Sequence, residues 1–497
     1  MSRRSAPSLL DRRSAAPLNL AVAWLIAAGT AVRLVMAAAI GLGIDEGYMV
    51  AAGRTLRLGY FDHPPLSWWL AAGMARLAGS EADVVVRLPF ILLFAVSTWL
   101  MYRLGAALFG ARAGVWAALA FNLSPVFGVT TGGWVLPDGP LTCALLAAAL
   151  CLLHALQDGG WRWWLAAGAA AGLALLSKYT AGLTLAGALL YLATQPAHRR
   201  WLRRPQPYAA ALLAVVLFAP VVVWNATHGW ASFAFQGARA AERGLHPFGP
   251  LVVLAGEALF VLPWIWLPMM AAAVAALRAG PADWRRWLLL CLGAPPILLF
   301  ALVGLHARHV LFHWAAPGYL MLFPLLGAAL DAAPPALVRR VAAGTAGLLL
   351  FGLAIVVSEV RWGWLPLPGD PAAQALDWTA LRPALAARGL LDRPGTVIGT
   401  TGWQLAGKVG YALGPGATVI CLCQDARQFG LVAPPATFRG RDVLIVARRS
   451  VSAAALAAAG VRFAGIEPLA PVPLVAQPRP AGQALLFLGH DLSVAAK

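Results

Sequence analysis

The sequence predicts an α-helical polytopic membrane protein with a small C-terminal extracytoplasmic α/β domain. Three observations carry that fold class. Of the 497 residues, 60% are hydrophobic and only 12% are charged, about half the charge of an average soluble domain. The mean hydropathy is +0.73. Apolar runs long enough to span a bilayer follow one another up to residue 358, where the composition changes. So little charge cannot cover several soluble domains, which excludes an ordinary cytosolic enzyme and a disordered chain.

Spanning takes about 20 apolar residues. The runs that approach this are 20–42, 87–109, 113–132, 139–157, 162–177, 179–195, 207–225, 250–277, 286–305, 309–330 and 337–358. The first follows Arg3, Arg4, Arg12 and Arg13 and resembles a signal peptide, yet it is long enough to span and more spans follow, so an uncleaved helix is expected. The run 64–79, with Pro64, Pro65, Trp68 and Trp69, is too short to span and reads as a helix in the interface with its tryptophans at headgroup level. The other tryptophans that flank spans read as aromatic belts; Trp68, Trp69 and Trp230 alone suit stacking on a sugar.

The net charge of +18 comes from short arginine clusters between the apolar runs. That distribution orients a polytopic chain and is not the stripe of a nucleic-acid binder. With the N-terminus in the cytoplasm, the inside loops hold Arg103 and Arg112, Arg162, Arg199 to Arg204, Arg278 to Arg286, and Arg339 and Arg340. The outside segments hold Asp45, Glu46, Asp62, Glu81, Asp83, Asp138 and Glu242. The first outside loop, 43–86, also carries Arg54, Arg57, Arg76 and Arg87: either the loop is amphipathic or some of these cations face an anionic ligand.

Two domains follow: a membrane domain over 1–358 and a soluble extracytoplasmic domain over 359–497. The latter opens with Pro/Gly-rich turns at 365–371. It continues with strand-like runs at 396–399, 418–422, 443–447 and 484–488 and a helix-like stretch at 452–459. Cys143, Cys151 and Cys291 lie in apolar runs and read as packing residues, while Cys421 and Cys423 have an awkward spacing for a mutual disulfide. There is no P-loop or GxGxxG after a strand, so no nucleotide is expected.

The chemistry concentrates in the first outside loop, at Ile44-Asp45-Glu46-Gly47-Tyr48 and Gly59-Tyr60-Phe61-Asp62-His63-Pro64-Pro65. Acids at a membrane boundary are functional candidates, because burying charge there is costly. Asp45 and Glu46 read equally as a solvated helix end. Asp138, in Leu136-Pro137-Asp138, falls on the same outer face in this topology. It can cap the next helix, but that alone does not explain its convergence with Asp45. Glu257, a lone acid in an apolar run, either lines a cavity or bridges helices by a hydrogen bond.

These residues, with Arg87-Leu88-Pro89, Ser177-Lys178-Tyr179, Trp224-Asn225, Phe235-Gln236, Arg239 and His313-Trp314, resemble the bacterial family 39 GT-C glycosyltransferases. That group includes protein O-mannosyltransferases, aminoarabinose transferases acting on lipid A, and rhizobial galacturonosyltransferases. The likeness runs through the whole membrane region and is specific for the family, not for the sugar. It implies a GT-C fold of about 11–13 transmembrane helices and a polyprenyl-phosphate-sugar donor. It implies an inverting transfer at the outer face of the bacterial inner membrane, to lipopolysaccharide or lipid A, another glycolipid, or a protein.

In the roles so implied, Asp45 is the general base, and Glu46 and Asp138 complete the catalytic set by orienting it or the acceptor. Tyr48, His63, Arg87, Lys178, Tyr179, Arg239, Glu257 and His313 form the substrate-binding set. Arg239, His63, Lys178 and Arg308 are the candidate cations for the carrier phosphate, which arginine's fork suits best. No cofactor is predicted; a divalent cation at Asp45, Glu46 and His63 is conceivable, but nothing enforces it. A transporter or flippase of lipid-linked sugars would instead require paired halves with broken helices at midplane, which the sequence does not suggest. A non-catalytic carrier-binding relative would lack an acid, whereas Asp45, Glu46 and Asp138 are all present.

Overall fold

The computed structural model describes residues 9–240, 244–307, 310–365, 378, 380–391, 396–474 and 482–495. Glu242, Arg308 and most of the turn region 365–371 lie outside them. Among the described residues, seven helices are long and apolar enough to cross a membrane: Pro17–Ala39, Asp83–Phe109, Asp138–Asp158, Pro205–Thr227, Pro263–Ala282, Trp284–Val303 and Pro335–Trp362. Shorter apolar helices are Ala181–Thr194, Gly249–Val261 and Ala316–Ala332. The chain divides into two compact units. One comprises Met1–Leu34, His63–Ser67 and Pro89–Leu350; the other comprises Val35–Asp62, Trp68–Leu88 and Phe351–Lys497.

In the first unit, proline and the residue before it decide where helices stop. The run 250–277, expected as one span, is two helices, Gly249–Val261 and Pro263–Ala279, broken at Leu262 with φ 83°. Pro263 has no N–H to give and its ring crowds the carbonyl four residues back, while Leu262 before it is pushed out of the helical region. The expected span 113–132 likewise stops at Leu123: Ser124 turns extended ahead of Pro125, and a π-helical turn, Val126–Thr131, follows. Helix Asp138–Asp158 ends on Gly159 at φ 72°, the left-handed cap that glycine allows. Helices Trp161–Ser177 and Pro205–Thr227 pack through Gly168 and Gly172, where a Cβ would strike Ala210 and Leu217. Small residues serve lipid-embedded helices this way, because dispersion must replace the hydrophobic effect.

The second unit is built on a five-stranded sheet. Its strands are β1 Val397–Thr400, β2 Thr418–Cys421, β3 Val443–Ala447, β4 Val461–Arg462, β5 Gly465–Pro473, β6 Gln483–His490 and β7 Ser493–Val494. The order is β2-β1-β3-β6-β5, with β4 and β7 forming a separate two-stranded ladder. β1 is parallel to β2 and β3, and β6 is antiparallel to β3 and β5. β1 and β3 are buried at every residue, as strands covered on both faces are. β5 carries Pro468, Pro471 and Pro473 and is an edge strand, where a missing N–H breaks no ladder.

Helix Trp403–Leu413, which follows β1, packs on the first-loop helix Ile44–Ala52 within this unit. Gly407 permits the approach: a Cβ there would lie 2.5 Å from the backbone N and Cα of Tyr48. Two expectations are corrected here. Cys421 and Cys423 form a disulfide across 5.3 Å between Cα atoms, because the chain bends at Cys423 just after β2 and draws them closer than the roughly 6.6 Å of an extended i, i+2 pair. Trp68 does not present its ring to its surroundings as an interfacial anchor would: it is fully buried and stacks on Tyr60 with ring centroids 4.1 Å apart.

Replacing Gly407 by Val should lower the stability of the unit by at least about 1–3 kcal/mol, the usual penalty of overpacking. Thermal unfolding in detergent with a tryptophan readout checks this. A melting point equal to wild type would show that the two helices are not packed this closely.

Candidate functional site

The first loop is locked by a buried ion pair. Arg87 forks onto Glu46, Nε to Oε1 at 2.8 Å and a terminal nitrogen to Oε2 at 2.5 Å, and both side chains are 3% exposed. The same guanidinium donates to the carbonyls of Ala37, Ile40 and Gly41 at 3.2, 2.6 and 3.0 Å, where the first helix has run out of internal donors. Glu46 Oε2 in turn accepts the Gly43 N–H at 2.8 Å and so caps helix Ile44–Ala52. The buried ammonium of Lys408 donates to the Leu42 carbonyl at 2.6 Å. Asp45, in the first turn of that helix, is exposed. Of the two adjacent acids, one is therefore buried in an ion pair and the other is exposed.

Behind Asp45 stands a second acid. Asp62 is 2% exposed; its Oδ1 accepts the Tyr48 hydroxyl at 3.3 Å and its Oδ2 meets Arg427 at 3.3 Å. Tyr48 Oη also accepts the Gln428 N–H at 3.1 Å, and Gln428 Oε1 accepts the Phe61 N–H at 2.9 Å. Burial pushes the Asp62 carboxyl up to about 6; the Arg427 cation opposes that rise and the Asp45 charge adds to it. Burial, reinforced by Asp62, raises the Tyr48 phenol well above its ordinary value, so it stays protonated and donates.

The other candidates lie in the unit that holds His63–Ser67 and Pro89–Leu350. Asp138 is the first residue of its helix, after Pro137 at the cap, and its Oδ1 takes the Lys178 ammonium at 2.9 Å. Lys178 is extended, φ −156° and ψ 138°, at the break after helix Trp161–Ser177; buried and paired, it does not snorkel. The next residue, Tyr179, bonds Ser232 through its hydroxyl at 2.7 Å. His313 is pushed down to about 4, first by burial and then by the Lys178 cation, with Asp138 opposing and Arg239 adding, so it is a neutral imidazole at pH 7. His63 and His313 both act electrostatically on Asp138. Arg239 lies over the rings of Trp314 and Phe235 at 4.6 and 5.5 Å.

Glu257, 1% exposed, accepts the Tyr319 hydroxyl at 2.7 Å, and Trp266 Nε1 donates to the same hydroxyl at 3.0 Å. Of its two sequence readings, the helix-bridging one describes this geometry. The structure thus brings together Asp45, Glu46, Tyr48 and Arg87 in one unit. His63, Asp138, Lys178, Tyr179, Arg239, Glu257 and His313 are in the other. Among the described residues, no group of three or more His, Cys, Asp or Glu side chains could hold a metal ion.

Sequence reasoning passed over Lys408, Arg427 and the pairing of Asp62. Lys408 had a signal, being one of only three lysines and set in an otherwise apolar helix. Arg427 had none. Replacing Arg87 by Met should destabilise the protein by about 3–5 kcal/mol by stranding the Glu46 charge, and replacing both by Met should recover most of the loss. Unfolding of the two variants in detergent decides this; a single variant as stable as wild type would remove the pair from its structural role.

Comparison with known proteins follows the same residues. The family model for dolichyl-phosphate-mannose-protein mannosyltransferase matches residues 62–224, a stretch that begins at Asp62 and includes Arg87, Asp138, Lys178 and Trp224 but not Asp45. Lipid A galacturonosyltransferase RgtD from Rhizobium johnstonii is 26% identical over 279 residues, which are 56% of this chain and 58% of that protein. The matched stretch thus spans less than two thirds of the relative. Two crystal structures of ArnT from Cupriavidus metallidurans share the fold. The apo form matches at TM-score 0.61 and 16% identity over 94% of this chain and 98% of that one. The form bound to undecaprenyl phosphate matches at 0.62 and 17% over 94% and 97%. The resemblance drawn from the loop residues is therefore met by a family model, a curated relative and a fold, and the fold of this chain is that of the GT-C glycosyltransferase ArnT.

Proposed function

We propose that this protein is an inverting glycosyltransferase that moves a sugar from a polyprenyl-phosphate carrier to lipid A or another envelope glycolipid, at the outer face of the bacterial inner membrane. The observation that carries the reading is the exposed Asp45 beside a Glu46 that is locked by Arg87. A general base must reach the acceptor, so the exposed acid suits the role better than the buried one. In this reading Asp45 takes the proton of the acceptor hydroxyl as that oxygen attacks the anomeric carbon. The bond to the carrier oxygen breaks in the same step, and its electron pair leaves on the phosphate. One displacement inverts the centre, unlike the two-step covalent route of retaining hydrolases.

The carrier phosphate is assigned to the nitrogen donors of Lys178, Arg239 and His63. Fixed cations at a leaving group act without reorganisation, and Arg239 offers a two-pronged donor. Lys178 is already paired with Asp138, which leaves the pair near neutral and suits it to hold rather than to attract. His313, neutral at pH 7, is assigned to hydrogen bonding of the donor rather than to its charge.

The choice of donor is supported by the undecaprenyl phosphate bound to a protein of the same fold, and that of acceptor by the lipid A activity of RgtD. The Cys421–Cys423 disulfide supports an oxidising compartment for the sheet unit, in line with the outward orientation expected from the arginine-bearing inside loops. A protein acceptor is the second reading, favoured by the description of the family model that matches 62–224.

Asp45→Asn should reduce transfer at least about a hundredfold, the usual worth of a general base, with folding retained. Envelope lipids and glycoproteins of a deletion strain, complemented with wild type or Asp45→Asn and analysed by mass spectrometry, provide the measurement. A sugar mass restored on lipid A by wild type alone supports the reading. A mass restored on a protein favours the second one, and equal restoration by Asp45→Asn removes Asp45 from the role.

A further inference from the structure

We propose that Arg427 is a positioning residue for the first-loop acids, carried into place by a turn that the Cys421–Cys423 disulfide ties to the end of β2. The inference rests on the glycosyltransferase reading for its activity test, but its geometry stands within one compact unit.

Arg427 sits at φ 44°, a left-handed backbone that a non-glycine residue adopts only where its surroundings enforce it. The surroundings are specific. Its guanidinium lies 3.6 Å over the Trp403 ring, meets Asp62 Oδ2 at 3.3 Å and meets Asp425 at 3.4 Å. The next residue, Gln428, is fully buried and reaches the first loop twice, through its N–H to Tyr48 Oη and its side-chain oxygen to Phe61 N–H. The turn therefore holds the loop at two points after Asp45: Tyr48, about one helical turn beyond it, and Asp62. The tie lies six residues before Arg427, where Cys421 ends β2 and Cys423 Sγ contacts the Asp425 carbonyl at 3.2 Å.

Two acids and one cation then share a small volume. Among the groups that bear on the Asp62 carboxyl are Arg427, a backbone N–H, Asp45 and Tyr48. Burial holds that carboxyl near 6, with Arg427 pulling it down and Asp45 pushing it up. Deleting the Arg427 charge removes the downward pull. Asp62 then gains its proton at a higher pH and releases the hydroxyl of Tyr48 from a charged acceptor. Transfer that needs the ionised pair should fall away below about pH 6 in wild type and at a distinctly higher pH without the cation.

The test uses the full-length protein in lipid nanodiscs with a polyprenyl-phosphate sugar as donor, comparing wild type, Arg427→Gln, Arg427→Lys and Cys423→Ser. The expected result is at least a tenfold loss of kcat in Arg427→Gln with KM for the donor within about twofold, and an acid limb moved up by one pH unit or more. Arg427→Lys should restore the limb, and Cys423→Ser should move it in the same direction as Arg427→Gln. Amide hydrogen exchange of residues 42–62, measured without substrate, should rise in Arg427→Gln while the sheet strands keep their protection. A loss of activity with an unmoved limb would make the role purely structural and overturn the proposal, as would unchanged exchange at 42–62. An unmoved limb in Cys423→Ser would remove the disulfide from it. A wild-type protein that transfers no sugar would sink the glycosyltransferase reading instead, and the exchange measurement would still decide whether Arg427 holds the loop.

Discussion

A helix that ends inside a protein leaves carbonyls without donors, and a loop that follows it is only as well placed as those carbonyls are satisfied. Here two cations supply the donors: Arg87 takes the carbonyls of Ala37, Ile40 and Gly41, and Lys408 takes that of Leu42. Arg87 is itself neutralised by Glu46, which in turn caps the next helix. The desolvation of such a pair is costly and its net stabilisation is small, so its value lies in geometry. Consecutive residues on a helix point about 100° apart. Fixing Glu46 inward therefore fixes Asp45 outward, and the difference in role between two adjacent acids follows from a single buried contact.

The cluster around Asp138 uses charge differently. Lys178 and Asp138 offset one another, His313 stays neutral beside them, and Arg239 rests on the faces of Trp314 and Phe235. An arginine held by aromatic faces keeps its hydrogen-bond donors while its position is set by dispersion and the ring quadrupole. A Lys178 released from Asp138, by contrast, would leave a buried carboxylate uncompensated.

How far the sequence discloses this is uneven for physical reasons. Span positions were legible because bilayer thickness imposes a length and an apolar composition, and the central strands because runs such as Val443–Ala447 are wholly apolar. Hydropathy says nothing of backbone geometry, so Leu262 before Pro263 broke one expected span without any drop in apolarity. The prolines of β5 concealed a strand, and a spacing argument missed a disulfide whose two cysteines are drawn together by a bend after β2. In the site, the acids stood out as rare charges in an apolar chain. Their division of labour did not, because Arg87 lies 41 residues from Glu46 and Arg427 lies 365 from Asp62. No local pattern encodes contacts at that separation.

The unit that joins the sheet to the first loop makes the fold of one a condition for the other. Gly407 lets helix Trp403–Leu413 approach the backbone of Tyr48, Lys408 on the same helix holds Leu42, and Tyr411 bonds Glu81 and Asp83. One helix thus touches the loop before, at and after the stretch that bears Asp45 and Asp62. Of these contacts, the Lys408 bond demands most of its surroundings. An ammonium that is 3% exposed survives burial only where acceptors are fixed in advance. That requires the first helix to have ended at Ala39 and the sheet to be assembled behind β1. The placement of the exposed acid therefore depends on contacts between residues some 360 apart in sequence, and any change that loosens the sheet acts on the loop without touching it.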